Sequence, residues 1–328
     1  MSQRAFLTGA TGFVGMNLAR ALVEQGWEVT ALVRPDSPRD GIEGLGMTLS
    51  EGDLNDAASL EAAIPVSVDA VFHVAASTNI WSRNNALQRR INVDGTRNLL
   101  EAAISAGARR LVHTSSFVIW GFANRTLTED SPRLEHSDWI NYVRTKWEAE
   151  CLVKDAVGAG RIDAVILNPA HILGAGDRHN WSRVIRLVQQ GKLPGVPPGG
   201  GAFADVREVA RAHIQAFHHG RSGQNYLLGG PDALFLEVVK LTGEMLQRKV
   251  PRRATPAWLL KAAARGYVIA ARFTGREPDL TPEGAAMIIR HMGCDSSRAV
   301  RELGYRFTPI DTLLEDTCAW LRKEGLLT

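Results

Sequence analysis

The sequence lacks paired cysteines, long hydrophobic runs and a leader-like start. Its three cysteines, Cys151, Cys294 and Cys318, are scattered without disulfide or metal-ligand spacing, which is typical of reduced thiols in the cytoplasm. The first residues contain no signal-peptide run, and no segment approaches the ~20 apolar residues that cross a bilayer. We therefore expect a cytoplasmic protein.

The chain also lacks a large charge of one sign. Its 328 residues include 38 basic and 35 acidic ones, for a formal net charge of +3. Because this balance gives no general attraction to polyanions, we expect neither a nucleic-acid nor a membrane partner. The densest basic stretch, Arg248, Lys249, Arg252 and Arg253, is interpreted as a solvated connector before Pro256.

Short apolar runs alternate with helix-length amphipathic segments through the first half of the chain. Helices are predicted over 13–25, 56–64, 85–106 and 138–157, and strands at "AFLTG", "EVTALV", "MTLSEGD", "DAVFHVAA", "RRLVHTSS" and "DAVILNP". Apolar strands separated by helices form parallel sheets that are covered on both faces. The pattern predicts an α/β, Rossmann-type, doubly wound parallel sheet.

The regular alternation ends near Pro169. Beyond it, helices are predicted over 181–190 and 206–219, helices dominate from 232 onward, and a strand near 224–229 is expected to return to the main sheet. We expect a Rossmann domain over 1–170 and a smaller, mostly helical substrate-binding region over 171–328.

The glycine-rich segment "TGATGFVG" follows the first predicted strand and leads into a helix. Glycines at this spacing allow a tight turn and a close approach of the backbone to a pyrophosphate, while the helix N-terminus offers free N–H groups. A dinucleotide cofactor is therefore predicted, with contacts from Gly9, Thr11, Gly12, Phe13, Val14 and Gly15.

The end of the second strand bears on the choice of cofactor. Val33 stands where an NAD-binding unit normally presents an acidic residue to the ribose 2′-OH, and Arg34 follows at once. A guanidinium there can pair with a 2′-phosphate, with Arg39 as a second contact, so NADP(H) is preferred. Asp36 leaves NAD(H) as the open alternative.

The ends of the later strands should line the same crevice, because ligands of open α/β sheets bind outside the carboxyl ends of the strands. Asp53 could accept a hydrogen bond from the adenine amino group. The other cofactor contacts predicted at these ends are Leu54, Val74, Ala75, Ala76, Thr114, Ser115, Pro169 and Ile172.

Tyr142 and Lys146 lie four residues apart in a predicted helix, so their side chains share one face. Such a pair alone proves little. Together with "TGATGFVG", "EGDL", "FHVAA", "INVDGTRNLLEAA", "LVHTSS" and "LNPAHILG", however, it resembles the extended short-chain dehydrogenase/reductases of the NAD-dependent epimerase/dehydratase superfamily. The chain is most similar to the branch of dihydroflavonol reductases, cinnamoyl-CoA reductases and 3β-hydroxysteroid dehydrogenases, in which "NP" follows the sixth strand as Asn168-Pro169 does here.

The resemblance implies a Ser-Tyr-Lys catalytic site. Tyr142 would exchange a proton with the substrate oxygen, Lys146 would lower the pKa of Tyr142 and bind the nicotinamide ribose, and Ser116 would donate a hydrogen bond to that oxygen. Ser115 would lie closer to the cofactor. Positions that resemble the substrate walls of relatives are Trp81, Trp120 and Phe203, with core packing equally open for each, and His171 could border the substrate. His113, His171 and His179 lack ligand spacing, so no metal is expected.

These observations favour an NADPH-dependent reductase of a carbonyl group in a small hydrophobic or aromatic ketone, aldehyde or acyl-CoA. The alternative is a nucleotide-sugar epimerase or dehydratase with tightly bound NAD, which Trp120 and the missing acidic residue after strand two weaken. A non-catalytic dinucleotide sensor is a third reading, against which the intact Tyr142–Lys146 pair speaks. The partner would be a small carbonyl or alcohol. The helices over 85–106 and 138–157 form a homodimer interface in many relatives, although monomers also occur.

Overall fold

The computed structural model describes residues 2–122, 124–133 and 138–327. Its strands, in chain order, are β1 (Arg4–Thr8), β2 (Glu28–Val33), β3 (Thr48–Glu51), β4 (Ala70–His73), β5 (Arg110–Thr114), β6 (Arg125–Leu127), β7 (Ala164–Pro169), β8 (His171–Leu173), β9 (Gly200–Asp205), β10 (Asn225–Leu228), β11 (Asp232–Leu234) and β12 (His291–Cys294).

The α-helices are α1 (Phe13–Glu24), α2 (Ala57–Ala63), α3 (Asn85–Arg89), α4 (Gly95–Ser105), α5 (Asn141–Gly158), α6 (Trp181–Gln189), α7 (Val206–His219), α8 (Phe235–Met245), α9 (Ala257–Thr274), α10 (Pro282–Ile288), α11 (Ser297–Leu303) and α12 (Ile310–Lys323). Within the described ranges, no helix is long and apolar enough to cross a membrane.

Seven parallel strands form the main sheet in the order β3-β2-β1-β4-β5-β7-β10. The chain reverses its direction of winding between β1 and β4, so the carboxyl ends of these two strands border a crevice where dinucleotides bind in such sheets. The predicted Rossmann-type fold is confirmed. β10, from beyond residue 171, lies parallel to β7 and completes the sheet.

The main sheet is buried on both faces, and β1 shows how the sequence produces this. Side chains alternate across a strand: Leu7 belongs to the apolar cluster that includes α1 and α7, whereas Phe6 belongs to the one that includes α4 and α5. Both side chains are fully buried. A strand covered on both sides must be apolar throughout, which explains the continuous apolar runs of the sequence.

The helix predicted over 85–106 is interrupted. α3 and α4 are separated by a π-helical turn, Arg90–Asp94, at whose centre the buried Asn92 side chain bonds the backbone of Ser77. The Thr96 hydroxyl also donates to the Asn92 carbonyl at 2.6 Å. Side-chain bonds of this kind compete with the regular helical ladder, and single π turns are frequent at functional sites.

A second, smaller sheet joins β6 to three strands of the C-terminal half in the order β11-β9-β12-β6, with β8 paired to β9. The segment "PPGGGAF" reads as a connector because glycine and proline disfavour strands, yet it supplies β9. A Cβ on Gly200 would lie 2.5 Å from the Ala233 carbonyl oxygen, and one on Gly201 would lie 2.6 Å from that of Met292. Glycine is therefore needed for the close approach of these strands.

Candidate active site

The turn between β1 and α1 is closed by glycine contacts. Gly9 has a φ of +79°, and a Cβ on it would lie 2.7 Å from the backbone nitrogen of Ala75. Gly12 caps α1 without any side-chain hydrogen bond, so the first helical N–H groups are open to a ligand. This cradle fits the pyrophosphate of a dinucleotide, because a side chain at Gly9 would fill the space beside β4.

Gly15 allows α1 to pack against this turn. A Cβ at Gly15 would lie 2.0 Å from the Gly9 carbonyl oxygen, which is rigid backbone. We expect Gly15→Ala to displace the turn, to reduce the free energy of unfolding by about 1–3 kcal/mol and to weaken dinucleotide binding. Urea unfolding and fluorescence titration with NADPH measure the two effects.

Gly266→Ala is the matched control, since Gly266 also lies within a helix but no atom lies near its Cβ position. Removing a helical glycine there should leave binding unchanged and stabilise the chain by about 0.5–1 kcal/mol. Equal effects of the two substitutions would show that the close approach at Gly15 is unimportant.

The end of β2 places Arg34 at the surface. Its side chain is 57% exposed, and its guanidinium lies 3.8 Å from the Asp36 carboxylate. Arg39 pairs with Glu51 at 2.5 Å, whereas Val33 is buried. Within the described residues, Asp36 is the only carboxylate within 4.0 Å of the Arg34 side-chain nitrogens. This contact is long and exposed, so a phosphate can displace it.

The other predicted cofactor contacts lie at the carboxyl ends of β3, β4, β5 and β7. The Asp53 carboxylate accepts from the Asn55 backbone and side-chain nitrogens at 2.7 and 2.8 Å. Ser115 is buried, and within the described residues its hydroxyl has no hydrogen-bond partner. A buried hydroxyl without a partner is unfavourable, which fits a bound group at this position. Leu54 and Pro169 are buried, and the half-buried residues at these ends are Val74, Ala75, Ala76 and Thr114. Thr11, Phe13 and Val14 in the turn between β1 and α1 and Ile172 in β8 are also half-buried.

The structure brings Ser116, Tyr142 and Lys146 together. The Ser116 side chain lies close enough to the Tyr142 phenol to lower the pKa of that phenol, and its hydroxyl accepts from the Val118 backbone at 3.4 Å. Lys146, one turn after Tyr142 on α5, is 3% exposed and donates to the Thr114 carbonyl oxygen at 2.7 Å. A proton donor, a hydrogen-bond donor and a cation therefore meet at the end of β5.

Burial changes the protonation of this group. It raises the pKa of Tyr142, and the nearby Ser116 side chain offsets only part of the increase. Burial also lowers the pKa of Lys146 to about 8, although the nearby Glu150 carboxylate acts in the opposite direction. The pKa of Tyr142 is therefore raised in this structure and not lowered, because desolvation of the phenolate is the larger of its two causes.

A buried polar network lies behind Ser116, Tyr142 and Lys146, and no sequence motif indicates it directly. The Glu150 carboxylate accepts from Arg133 at 2.7 Å, from Asn225 at 2.8 Å and from Asn168 at 3.0 Å. Asn168 also donates to the Ser116 carbonyl oxygen at 3.2 Å. Through Asn168, the network joins α5 to the backbone of the serine that contacts Tyr142.

Asn92 is a second element that sequence reasoning missed. Its side chain accepts from the Ser77 N–H at 2.7 Å and donates to Thr145 at 3.1 Å. Thr145 directly precedes Lys146, so Asn92 joins the segment after β4 to the helix that carries Tyr142 and Lys146. The motif "INVDGTRNLLEAA" marked this position only as part of a family pattern.

Two buried histidines lie beneath the crevice. His73 bridges the hydroxyls of Thr8 and Thr96 at 2.8 and 2.9 Å, and burial lowers its pKa to about 3. Burial also lowers the pKa of His113, whose ring nitrogens have no partner in the part of the chain described. Both rings are neutral at physiological pH. Within the same ranges, no group of three or more His, Cys, Asp or Glu could hold a metal ion.

The residues predicted as substrate walls differ in their surroundings. Trp81 is half-buried, with the Arg83 guanidinium 5.2 Å from its ring centre. Trp120 and Phe203 are fully buried in separate apolar clusters. His171 packs among aromatic rings, including that of Phe203, and burial lowers its pKa to about 4. Trp120 and Phe203 pack as core residues in this structure, and a substrate contact by any of the four stays a prediction.

Comparison with known proteins identifies a family pattern over most of the chain. Residues 5–229 match the model of the NAD dependent epimerase/dehydratase family. A Synechocystis sp. protein, named provisionally as a dihydroflavonol 4-reductase, is 31% identical over 99% of this chain and 96% of its own. Sterol demethylase protein B of Methylococcus capsulatus is also 31% identical, over 98% of this chain and 99% of its own.

A solved structure shows the same fold over the full length. The crystal structure of gox2253 superimposes with a TM-score of 0.84 at 30% sequence identity, and the match covers 100% of both chains. The C-terminal region, with its second sheet, is therefore part of the shared architecture.

Proposed function

The chain belongs to the NAD-dependent epimerase/dehydratase family of enzymes, and within it we propose an NADPH-dependent reductase of a carbonyl group in a small hydrophobic or aromatic substrate. The observation that carries the proposal is the placement of Ser116 close to Tyr142, with the buried Lys146 one turn further along the same helix. A ketone, an aldehyde or an acyl-CoA would be a suitable substrate, because each has a carbonyl oxygen that can accept a proton from Tyr142.

Tyr142 is the proposed proton donor. The nicotinamide of the cofactor, when bound, supplies the hydride to the carbonyl carbon. Reduction leaves charge on the substrate oxygen, to which Tyr142 gives its proton while Ser116 donates a hydrogen bond. The raised pKa of Tyr142 keeps the phenol protonated at neutral pH, which suits proton donation and hence the direction of reduction.

Lys146 is the proposed link between the proton donor and the cofactor. An ammonium has three N–H donors, and one of them is used by the Thr114 carbonyl. With a pKa of about 8, Lys146 is mostly charged at neutral pH. Burial makes the Lys146 ammonium lose its proton more readily than it would in water. In its charged form, Lys146 would still stabilise a Tyr142 phenolate in the reverse oxidation.

The cofactor would be held along the carboxyl ends of the strands. The glycine turn and the start of α1 would bind the pyrophosphate, Asp53 the adenine, and Ser115 and Lys146 the nicotinamide ribose. The partly exposed backbone after β4 would lie against the dinucleotide.

Arg34 is the proposed reader of the 2′-phosphate. We expect Arg34→Ala to weaken NADPH binding about 10-fold to 100-fold, because a charge-assisted contact to phosphate is lost, and to leave NADH binding nearly unchanged. Parallel fluorescence titrations with the two cofactors measure the ratio. Arg161→Ala is the control, since Arg161 pairs with Glu101 at a distant exposed site.

The result of this titration also separates two functions. If Arg34→Ala changes NADPH and NADH binding equally, Arg34 does not select the phosphate. Purified protein that already carries NAD would favour the epimerase or dehydratase alternative.

The reaction itself is tested by the balance of cofactor. A reductase consumes one NADPH for each alcohol formed, whereas an epimerase or dehydratase regenerates its cofactor within each turnover. We would follow NADPH absorbance with a panel of aromatic and steroidal ketones and aldehydes, which the names of the two relatives suggest. Turnover of nucleotide sugars without net NADPH consumption would contradict the proposal.

A further inference from the structure

The helix α9 carries its large side chains on the outside. Its buried residues are two alanines, Ala264 and Ala271. By contrast, Trp258, Ile269 and Phe273 are 71%, 56% and 86% exposed. A surface helix normally turns its apolar stripe toward the core, so the exposure of these three residues is unusual.

The exposed apolar residues form one continuous stripe. At 3.6 residues per turn, Trp258, Ile269 and Phe273 share a face, with Leu259 at its edge. Exposed apolar patches of this kind mark sites of interaction with proteins or membranes.

A second stripe beside the first is basic. Lys261, Arg265 and Arg272 follow at spacings of four and seven residues, so they lie together next to the apolar stripe. Apolar and basic stripes side by side are typical of helices that lie in the plane of a membrane interface.

The charge of the surrounding segment is strongly one-sided. Between Glu244 and Glu277 the sequence contains eight basic residues and no acidic one. Of the 38 basic residues, 30 then remain for the rest of the chain against all 35 acidic ones, a formal charge of −5. The net charge of the whole protein is small only because this basic segment and the acidic remainder cancel. The segment itself is complementary to an anionic surface.

A cavity of mixed polarity adjoins α9. Lys261 and Arg265 line this cavity of about 460 Å³ together with Asp138, with Trp139, which is 57% exposed, and with the buried Ile140. Ile140 immediately precedes α5. The surface around α9 thus extends to the segment that leads into the catalytic helix.

We propose that α9 docks this protein on the surface of an anionic lipid bilayer, with its apolar stripe in the interface and its basic stripe against the headgroups. A second copy of the chain fits this face less well, because a two-fold contact through α9 would place the basic stripes of both copies close together. The expectation of no membrane partner came from the average charge and did not include the placement of α9.

The proposal is tested by co-sedimentation of the full chain with vesicles. We expect binding to phosphatidylcholine vesicles containing about 30% phosphatidylglycerol and little binding to pure phosphatidylcholine. Raising NaCl from about 0.1 M to about 1 M should release the protein, since the screening length falls from about 10 Å to about 3 Å.

The basic stripe is tested by the triple variant Lys261→Gln, Arg265→Gln, Arg272→Gln. Each basic residue near an anionic surface contributes several-fold to partitioning, so the three together should weaken binding about a hundredfold. The matched control removes three exposed basic residues from other faces of the molecule by substitution with glutamine, namely Lys240, Arg301 and Lys323.

The apolar stripe is tested by Trp258→Ser combined with Phe273→Ser, which should reduce binding to the same vesicles. Val66→Ser combined with Phe307→Ser, at exposed apolar positions elsewhere, should not. Thermal unfolding by circular dichroism shows whether each variant is folded.

Three outcomes would overturn the proposal. One is equal, salt-independent binding to both kinds of vesicle, and another is a loss of binding in the controls as large as in the α9 variants. The third is no binding of the natural sequence to the anionic vesicles. If sedimentation velocity then shows a dimer that Phe273→Ser dissociates, the face belongs to a second copy.

Discussion

Tyr142→Phe should reduce the rate of carbonyl reduction by about 10²-fold to 10⁴-fold and leave NADPH binding nearly unchanged. The substitution removes the hydroxyl that gives the proton, and general acid catalysis contributes about this factor. The ring remains, and Lys146 keeps its hydrogen bond to Thr114, so the cofactor contacts should persist. Single-turnover NADPH oxidation and fluorescence titration measure the two effects.

Tyr267→Phe is the control for this prediction, because Tyr267 is a half-exposed tyrosine on α9. It should leave both the rate and the affinity unchanged. A Tyr142→Phe variant that retains normal turnover would show that the proton comes from another group, and the proposed mechanism would be wrong.

Glu150→Ala should produce the largest loss of stability, about 3–5 kcal/mol in the free energy of unfolding. The Glu150 carboxylate is 1% exposed and accepts hydrogen bonds from Arg133, Asn168 and Asn225. Its removal takes one acceptor away from a half-buried guanidinium and from two buried amides. Urea unfolding monitored by circular dichroism measures the change.

Glu148→Ala supplies the comparison, since it lies two residues earlier on α5 and forms a surface ion pair with Arg89. Such pairs contribute about 0–1 kcal/mol. If both variants lose the same small amount of stability, the buried network contributes no more than a surface pair.

The Glu150 network also bears on catalysis. Asn168 bonds both the Glu150 carboxylate and the Ser116 carbonyl, so its amide holds the backbone of the serine that contacts Tyr142. A folded Glu150→Gln variant would keep the shape and lose the charge. We therefore expect this variant to show a smaller relative change in the rate of reduction than in the free energy of unfolding.

The sequence by itself determined the fold class and the position of the crevice. Apolar strands that alternate with amphipathic helices permit few arrangements other than a parallel sheet covered on both faces. Two motifs span only a few consecutive residues, namely the glycines from Gly9 to Gly15 and the pair Tyr142 and Lys146. Local geometry alone is therefore enough to interpret them.

Contacts between residues far apart in the chain could not be predicted from the sequence. The bond from Asn92 to Thr145 and the bonds of Glu150 to Asn168 and Asn225 join residues far apart in the chain. No local pattern specifies such partners. The π turn at Asn92 and strand β9 were missed for the same reason, since each depends on what packs against it.

Only the tertiary structure decided the electrostatics and the exposed faces. The pKa of Tyr142 is raised because the surrounding protein removes water from the phenol. This effect depends on how deeply the side chain is buried, which the neighbouring residues in the sequence do not specify. The apolar residues of α9 look like core residues in the sequence, yet Trp258 and Phe273 face outward. Sequence determines which residues share a helical face, but the packing of the whole chain determines which face meets water.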